Sequence, residues 1–483
     1  MKYFKTKGFF FENIAIVIVL IVFTVCKIPH LWLPHYWDEG WSYAVAVQKM
    51  AEAGPSLLSG HIDIALTRGH PLFYYATAAT WLNFIGDSLL TRHLFALGIS
   101  LAFLLAIFSG VRKLFNFNVA ILSTLLVGTQ IIFFVQSSML LPEVLVAFLA
   151  YLSIFYFAIR NYIGLGIALT LLLQTKESGL VMWLILLIVF LVLFFSYSKK
   201  YNLIKLFIAL FIPVLLLCAF FIYQKIKFGW FFFPEHMGLI EKSPDIVLYK
   251  LKTILKLVFR EEKRKWFWGM AILISILSLY LHIKRGKKRK DLLPQYDQSV
   301  FIIVAITFIL LYSIFCALNF YSARYLIAAI VPSIILLAYL LDKSITSIDR
   351  RIYIPSLLIM TALSFQNFLR NDEIGDIGMK SYKALEMQRA AINYLLKHAD
   401  PDTPIAVGGF LQRTNLTEPA CGFLGNHPPF TEAKWEITEQ SKFILFDNMD
   451  QDNRLSEIEK NPAYQLVYHF YQNDLDTKIF EKK

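Results

Sequence analysis

Charge is what this chain has least of. Asp, Glu, Lys and Arg make up 17% of its 483 residues, against about 25% in ordinary soluble domains. So little charge cannot dress a wholly water-exposed surface, which excludes a soluble globular fold for most of the length. Cysteine is scarce too. Cys26, Cys218 and Cys316 lie in apolar runs and Cys421 stands alone near the C-terminal end, so no disulfide framework is legible. No internal repeat of the kind found in many secondary transporters is present. The opening "MKYFKTKGFF" carries Lys2, Lys5 and Lys7 ahead of an apolar stretch, as signal peptides do. That stretch lacks a small-residue cleavage site and runs on to Cys26, so it reads as an uncleaved first span. His, Cys, Asp and Glu nowhere fall at metal-ligand spacing, which leaves metal use open, a divalent ion included.

What is there instead is apolar. Hydrophobic residues reach 57% and aromatics 16%, where about 45–50% apolar is usual. Runs such as "SGLVMWLILLIVFLVLFF" (178–195) have the length and purity of bilayer spans, which need about 20 apolar residues. By that criterion the chain has about eleven spans, near 13–30, 88–109, 118–136, 140–158, 162–175, 178–196, 204–224, 266–283, 298–317, 321–341 and 352–369. The net charge of +12 does not point to nucleic acid, because most of the excess sits in short loops between spans. There it marks the cytoplasmic side. Arg112/Lys113, Arg160, Lys199/Lys200/Lys205, "KRGKKRK" (284–290) and Lys343/Arg350/Arg351 all fall on the side of the N-terminus.

Two segments differ from the spans. "HPLFYYATAATWLNFIG" (70–86) opens with His-Pro and is rich in aromatics and Thr, so it reads as an interfacial helix. The loop 225–265 is basic yet external in this topology, and within it "DIVLYKLKTILKLVF" (245–259) interleaves lysines with apolar residues at helical spacing. It reads as an amphipathic helix lying on the membrane. Beyond Leu369 the chain becomes charged, with "DPDTP" and "NHPP" turns. There "MQRAAINYLLKHA" (387–399) predicts a helix, and "PIAVGGF", "KFILFDN" and "YQLVYHFYQ" predict strands. The expected organisation is a polytopic α-helical membrane domain, 1–372, followed by a small α/β domain, 373–483. An odd span count places that domain outside the cytoplasm.

In this topology, polar residues awkward in lipid collect on the outer side. Asp38 and Glu39 follow the first span in "YWDEGWSYA", with Tyr43 downstream. His70 opens the interfacial helix, Glu143 starts the fourth span, Lys176-Glu177 ends the fifth, and Arg324-Tyr325 starts the tenth. Each has a plainer reading taken singly. Asp38 can be a solvated or capping carboxylate, Glu143 a helix-dipole partner, and Lys176 and Arg324 snorkelling cations. His70 can satisfy a loop carbonyl, and Trp32, Trp37 and Trp41 suit an interface belt. Together they suit group transfer. A carboxylate can take the proton of an attacking hydroxyl, and Lys, Arg and His can hold a phosphate leaving group. Grooves between spans suit a lipid tail.

The order "YWDEGWSYA", then "GHPLFYYATAATWLNFIGDSLLTRHLFAL", then "LLPEVLVAFLAYL", "LLQTKESGL" and "ARYLIAAIVPSIILLAYLL", resembles the GT-C membrane glycosyltransferases. The branch is that of the protein O-mannosyltransferases and aminoarabinose transferases. The resemblance covers roughly residues 10–345, its first-loop motifs being the specific ones. It implies transfer of a sugar from a polyprenyl-phosphate donor to a lipid, glycan or protein acceptor on the non-cytoplasmic face of a bacterial inner membrane. By that resemblance Asp38 is the catalytic carboxylate and Glu39 its partner, and His70 opens the segment that meets the lipid phosphate; from their placement on the outer side, Tyr43, Glu143, Lys176, Arg324 and Tyr325 are the further substrate-binding candidates, with Arg324 first and Lys176 second for the phosphate. His70 and Leu72 depart from the Lys-Pro-Pro of the aminoarabinose branch, and the histidine is more like the mannosyltransferase version. The rival readings are a transporter or lipid flippase without glycosyl transfer, and a structural assembly subunit.

Overall fold

The computed structural model describes residues 2–195, 201–285, 293–349, 353–369, 375–449 and 453–483. Lys199, Lys200, Arg350, Arg351, most of the basic block 284–290 and the expected boundary at 372/373 lie outside the described residues. Seven helical segments are long and apolar enough to cross a bilayer: Glu12–His30, Leu89–Leu114, Glu177–Phe195, Leu203–Phe228, Arg264–Lys284, Tyr296–Leu318 and Ala323–Ile348. Their outward faces are apolar, as in Val17, Ile18, Ile21, Val22 and Val25 of the first, all largely exposed. Lipid, with no water to compete, accepts such faces, while the backbone bonds inside each helix.

Three further expected spans are short helices, Phe117–Gly128, Glu143–Ala158 and Tyr162–Thr175. At 1.5 Å per residue they measure roughly 18–24 Å, less than the ~30 Å hydrocarbon core. Local chemistry sets two of their ends. The expected 118–136 run breaks at Gly128–Gln130, because the N–H groups of Ile131 and Ile132 donate to the Glu262 carboxylate of the loop after helix Pro244–Phe259 (2.5 and 3.4 Å). A second helix, Ile131–Gln136, follows. The 140–158 run becomes helical only at Glu143, after Pro142, since proline suits a helix start and not its interior. The last expected span contains the helix Tyr353–Phe365. The core is centred on Ile327–Ile348, whose residues are buried against the helices 117–128, 143–158, 264–284 and 296–318.

The stretch 70–86 holds the helix Phe73–Ile85, with Tyr74, Tyr75, Ala78, Ala79 and Leu82 buried. The lysine-rich stretch forms the helix Pro244–Phe259, in which Ile254 and Val258 are buried and Ile246, Leu248 and Tyr249 exposed.

The C-terminal region carries a five-stranded sheet: β1 (Ile405–Val407), β2 (Ala433–Lys434), β3 (Phe443–Asp447), β4 (Tyr464–Gln472) and β5 (Leu475–Lys482). Its order is β2-β1-β3-β5-β4. β1 runs parallel to β2 and β3, and β5 antiparallel to β3 and β4. Helix Lys380–His398 covers β4 and β5 with Ala384, Leu385, Ala391 and Leu395. The sheet region is tied to the membrane part. The His35 N–H donates to the Cys421 carbonyl (2.9 Å), and Arg92 Nη1 to the Ala420 carbonyl (2.7 Å). Lys27 Nζ donates to the Tyr382 hydroxyl (2.7 Å), and the His30 and Tyr382 rings stack at 3.9 Å.

Candidate active site

The segment after the first membrane helix is shaped by an unusual backbone. Trp37 has φ +50°, a left-handed conformation that bulky residues rarely adopt and that gathers at functional sites. It turns the chain sharply into Asp38. Asp38 Oδ1 accepts from Trp41 Nε1 (3.0 Å), and Oδ2 from Arg324 Nη2 (2.5 Å). A wide π-helical turn, Glu39–Ala44, follows. It carries Tyr43 to Tyr75 of the next helix, where the rings stack at 5.4 Å.

A second segment, Thr67–Pro71, bends through Arg68 and Gly69 at φ +49° and +70°. A side chain at Gly69 would meet the Trp230 ring at 3.1 Å, so glycine permits the close approach of the 230s loop. His70 follows, with Nδ1 2.8 Å from Glu177 Oε2. Its ring lies 5.0 Å from that of His236, on the short helix Pro234–Gly238.

The third component comes from helix ends. Helix Tyr162–Thr175 stops at an extended Lys176, whose Nζ donates to Glu143 Oε1 (3.1 Å) and lies 4.0 Å from the centre of the Tyr325 ring. Arg324 sits on the short turn Ala323–Leu326, where its guanidinium bonds both Asp38 and Asp376. Arg324 Nε is 3.6 Å from Glu143 Oε1. Arg324 Nε and Glu143 Oε2 have no hydrogen-bond partner among the described residues.

These parts enclose an open cavity of about 340 Å³. Asp38, Tyr43, His70, Lys176, Arg324 and Tyr325 all line it. One side is apolar, with Leu239, Phe315 and Phe320, and both Leu239 and Phe320 are exposed at the surface. Glu143 lies buried behind, holding Lys176 and facing Arg324. Glu39 is elsewhere. Its carboxylate is 2% exposed, accepts from the Leu140 and Tyr36 N–H groups (2.7 and 3.2 Å), and lies 2.9 Å from His35 Nδ1 and 3.7 Å from His93 Nε2. Burial works to raise the Glu39 carboxyl. His35, His93 and the Leu140 N–H outweigh it and hold the group at about 2.

Three participants escaped sequence reasoning. Asp376 follows the last span, and nothing in "NDEIGDIG" ties it to Arg324. Burial raises its carboxyl; Arg324 pulls it back, and Glu143 and Asp38 push it up again. Arg68 lines the cavity and stacks over Trp41 at 4.6 Å. His236 lies in a loop legible only as basic and aromatic. Burial, then His70, keeps its imidazole down at about 4. Two groups of metal-capable side chains also form, His35–Glu39–His93 and His70–Glu177–His236, each with ligand atoms within 4.8 Å of one another. In the second group the members are far apart in sequence; in the first, His35 and Glu39 are four residues apart and only His93 is remote. Chemically, the cavity offers one carboxylate held by Trp41 and Arg324, two or three cations within reach of an anion, and an apolar flank.

No protein-family profile matches the chain, and no curated protein sequence matches it. Solved structures do. The crystal structure of ArnT from Cupriavidus metallidurans bound to undecaprenyl phosphate superposes with a TM-score of 0.60 at 11% identity, covering 96% of this chain and 97% of that one. The same protein in the apo state gives 0.56 at 12% identity, covering 95% and 97%. At such identity the likeness is one of fold: the chain has an ArnT-like GT-C fold.

Proposed function

We propose that the protein is a membrane glycosyltransferase that moves a sugar from a polyprenyl-phosphate donor to an acceptor on the non-cytoplasmic face of the membrane. The observation that carries this reading is the meeting of Asp38, Lys176 and Arg324 in one cavity with an apolar flank. The likeness of fold to an ArnT structure bound to undecaprenyl phosphate supports it. In this reading the lipid tail runs along Leu239, Phe315 and Phe320, and the phosphate rests on Arg324 and Lys176. Arg324 suits that role because its planar fork binds two phosphate oxygens at once, and its Nε has no acceptor among the described residues. Asp38 takes the proton of the acceptor hydroxyl as it attacks the sugar carbon, and the cations stabilise the departing phosphate. Tyr43 and Tyr325 form cavity wall around the sugar. Residues 1–372 are the catalytic membrane domain and 373–483 an extracytoplasmic domain that completes the site through Asp376. A bacterial inner membrane is the setting this implies.

The test is Asp38→Asn, which keeps shape and loses basicity. Transfer is expected to fall about 10²–10⁴-fold, the usual worth of a general base, with membrane insertion unchanged. The readout is mass spectrometry of envelope glycolipids and glycoproteins from cells with and without each form. Transfer within a few-fold of wild type would remove Asp38 from the mechanism.

A further inference from the structure

We propose that the groove between helices Tyr162–Thr175 and Leu203–Phe228 binds one anionic phospholipid, its headgroup on Arg160 and Lys205 and an acyl chain in the groove. The two helices start side by side, where the Asn202 N–H donates to the Tyr162 hydroxyl (2.9 Å). A Cβ on Gly166 would lie 3.5 Å from Ala209 Cα, so small residues let the helices approach closely there. The larger Ile163, Ile167, Ile208 and Ile212 stand beside this seam as walls, all largely exposed. The groove holds about 770 Å³. It opens sideways, and the exposed apolar faces of membrane helices meet lipid.

Depth and charge select the occupant. Within the two helices the groove runs from Tyr162 to Leu171 and from Lys205 to Pro213. At 1.5 Å per residue that is roughly 12–14 Å, about half the ~30 Å hydrocarbon core. A partner helix would cross both leaflets, whereas a groove of this depth suits the chain of a lipid in one. Its end carries two cations, with no carboxylate among the described lining residues. Arg160 pairs with Asp297, which lies outside the groove (2.9 Å). Lys205 is exposed and has no acidic partner among the described residues. Both helices also begin at this end, capped by Asn161 and Asn202, and helix N-termini carry positive partial charge. Basic pockets between membrane helices hold anionic headgroups in this way. The site is separate from the active-site cavity, which is lined by Lys176 at the opposite end of helix Tyr162–Thr175. A lipid seated in the groove braces that short helix.

Binding is measured on the full chain in detergent, stripped of lipid and titrated with phosphatidylglycerol or with phosphatidylcholine of the same chains. Native mass spectrometry counts bound lipid, and thermal unfolding reads its effect. Wild type should hold one phosphatidylglycerol per chain, prefer it to phosphatidylcholine, and melt higher with it. A basic residue is worth about fivefold in affinity for anionic lipid. Lys205→Gln should therefore weaken phosphatidylglycerol by about that factor and leave phosphatidylcholine unchanged. Ile167→Trp, which fills the groove, should weaken both. Lys113→Gln, at an exposed lysine outside the groove, should bind as wild type does. Elution profile shows that each variant is folded, and Ile212→Trp replaces Ile167→Trp if it is not. Equal affinity of the wild type for the two lipids overturns the proposal. So does a groove variant that binds phosphatidylglycerol as wild type does, or a dimer in place of bound lipid, which would make a second copy the occupant. Neither donor nor acceptor is present, so the outcome is independent of the transfer reading.

Discussion

At position 39 a carboxylate is consumed by its neighbours; at position 38 one is left for the cavity. In the sequence they form one acidic pair, and nothing in "WDEGW" separates them. The separation comes from the left-handed Trp37 and the π-turn after Asp38, which send successive side chains to different places. Glu39 instead ties residues 35–36 and 140 together, and its ionised form is favoured by folding. Its carboxyl lies near 4.5 ordinarily and at about 2 in the fold: burial opposes the shift, and His35, His93 and the Leu140 N–H win. A depressed carboxyl contributes stability that is full above the unfolded value and lost as pH falls through the folded one. Glu39→Gln should therefore melt below wild type at neutral pH, and the gap should shrink as pH falls from 4.5 toward 2. Thermal unfolding in detergent, followed by tryptophan fluorescence at several pH values, checks this. A gap that stays constant over that range would assign Glu39 no such role.

Among the elements, apolar length was legible and interruptions were not. Runs such as 178–195 have no competing reading, whereas the break at Gly128–Gln130 depends on Glu262, some 130 residues away. The sheet shows the same contrast. β4 was legible from its aromatic and β-branched residues, while β5, "LDTKIFEK", carries charges on its half-exposed positions and was missed. A local signal existed: Asn473 and Asp474 both have positive φ (51° and 61°), the type I′ pattern that Asn and Asp favour in two-residue hairpins. The link between the first span and the C-terminal helix was out of reach. Lys27 is fully buried and donates to the Phe134 carbonyl and the Tyr382 hydroxyl, both at 2.7 Å. Tyr382→Phe keeps the ring stacked on His30 and removes one acceptor from a buried ammonium. That typically costs about 1–3 kcal/mol. The expected outcome is a lower melting temperature and faster protease cleavage ahead of helix Lys380–His398. Cleavage and melting equal to wild type would show that the hydroxyl does not hold the domain.

For the whole molecule, the sequence ordered the site residues along the chain without showing that they meet. Asp38 and Arg324 are 286 residues apart, so only the packed bundle brings them into one cavity. The two ends of the bundle lead to the expectation that this meeting point faces away from the cytoplasm. One end carries the described basic residues of short loops: Arg112, paired with Glu12; Arg160, paired with Asp297; then Lys205 and Lys284. The other carries the cavity, the 230s loop and the sheet region, bound together by Arg324–Asp376 and Arg92–Ala420. Short basic loops stay in the cytoplasm, so the cavity and the C-terminal domain should face away from it. Lys284→Cys and Glu439→Cys place one thiol at each end, both at exposed positions. The native cysteines serve as the blank, since Cys316 and Cys421 are buried and Cys26 and Cys218 sit on membrane helices. In spheroplasts, a membrane-impermeant maleimide should label Glu439→Cys at once and Lys284→Cys only after permeabilisation. The opposite order would put Asp38 and Arg324 in the cytoplasm, and an external lipid-linked donor could not reach them.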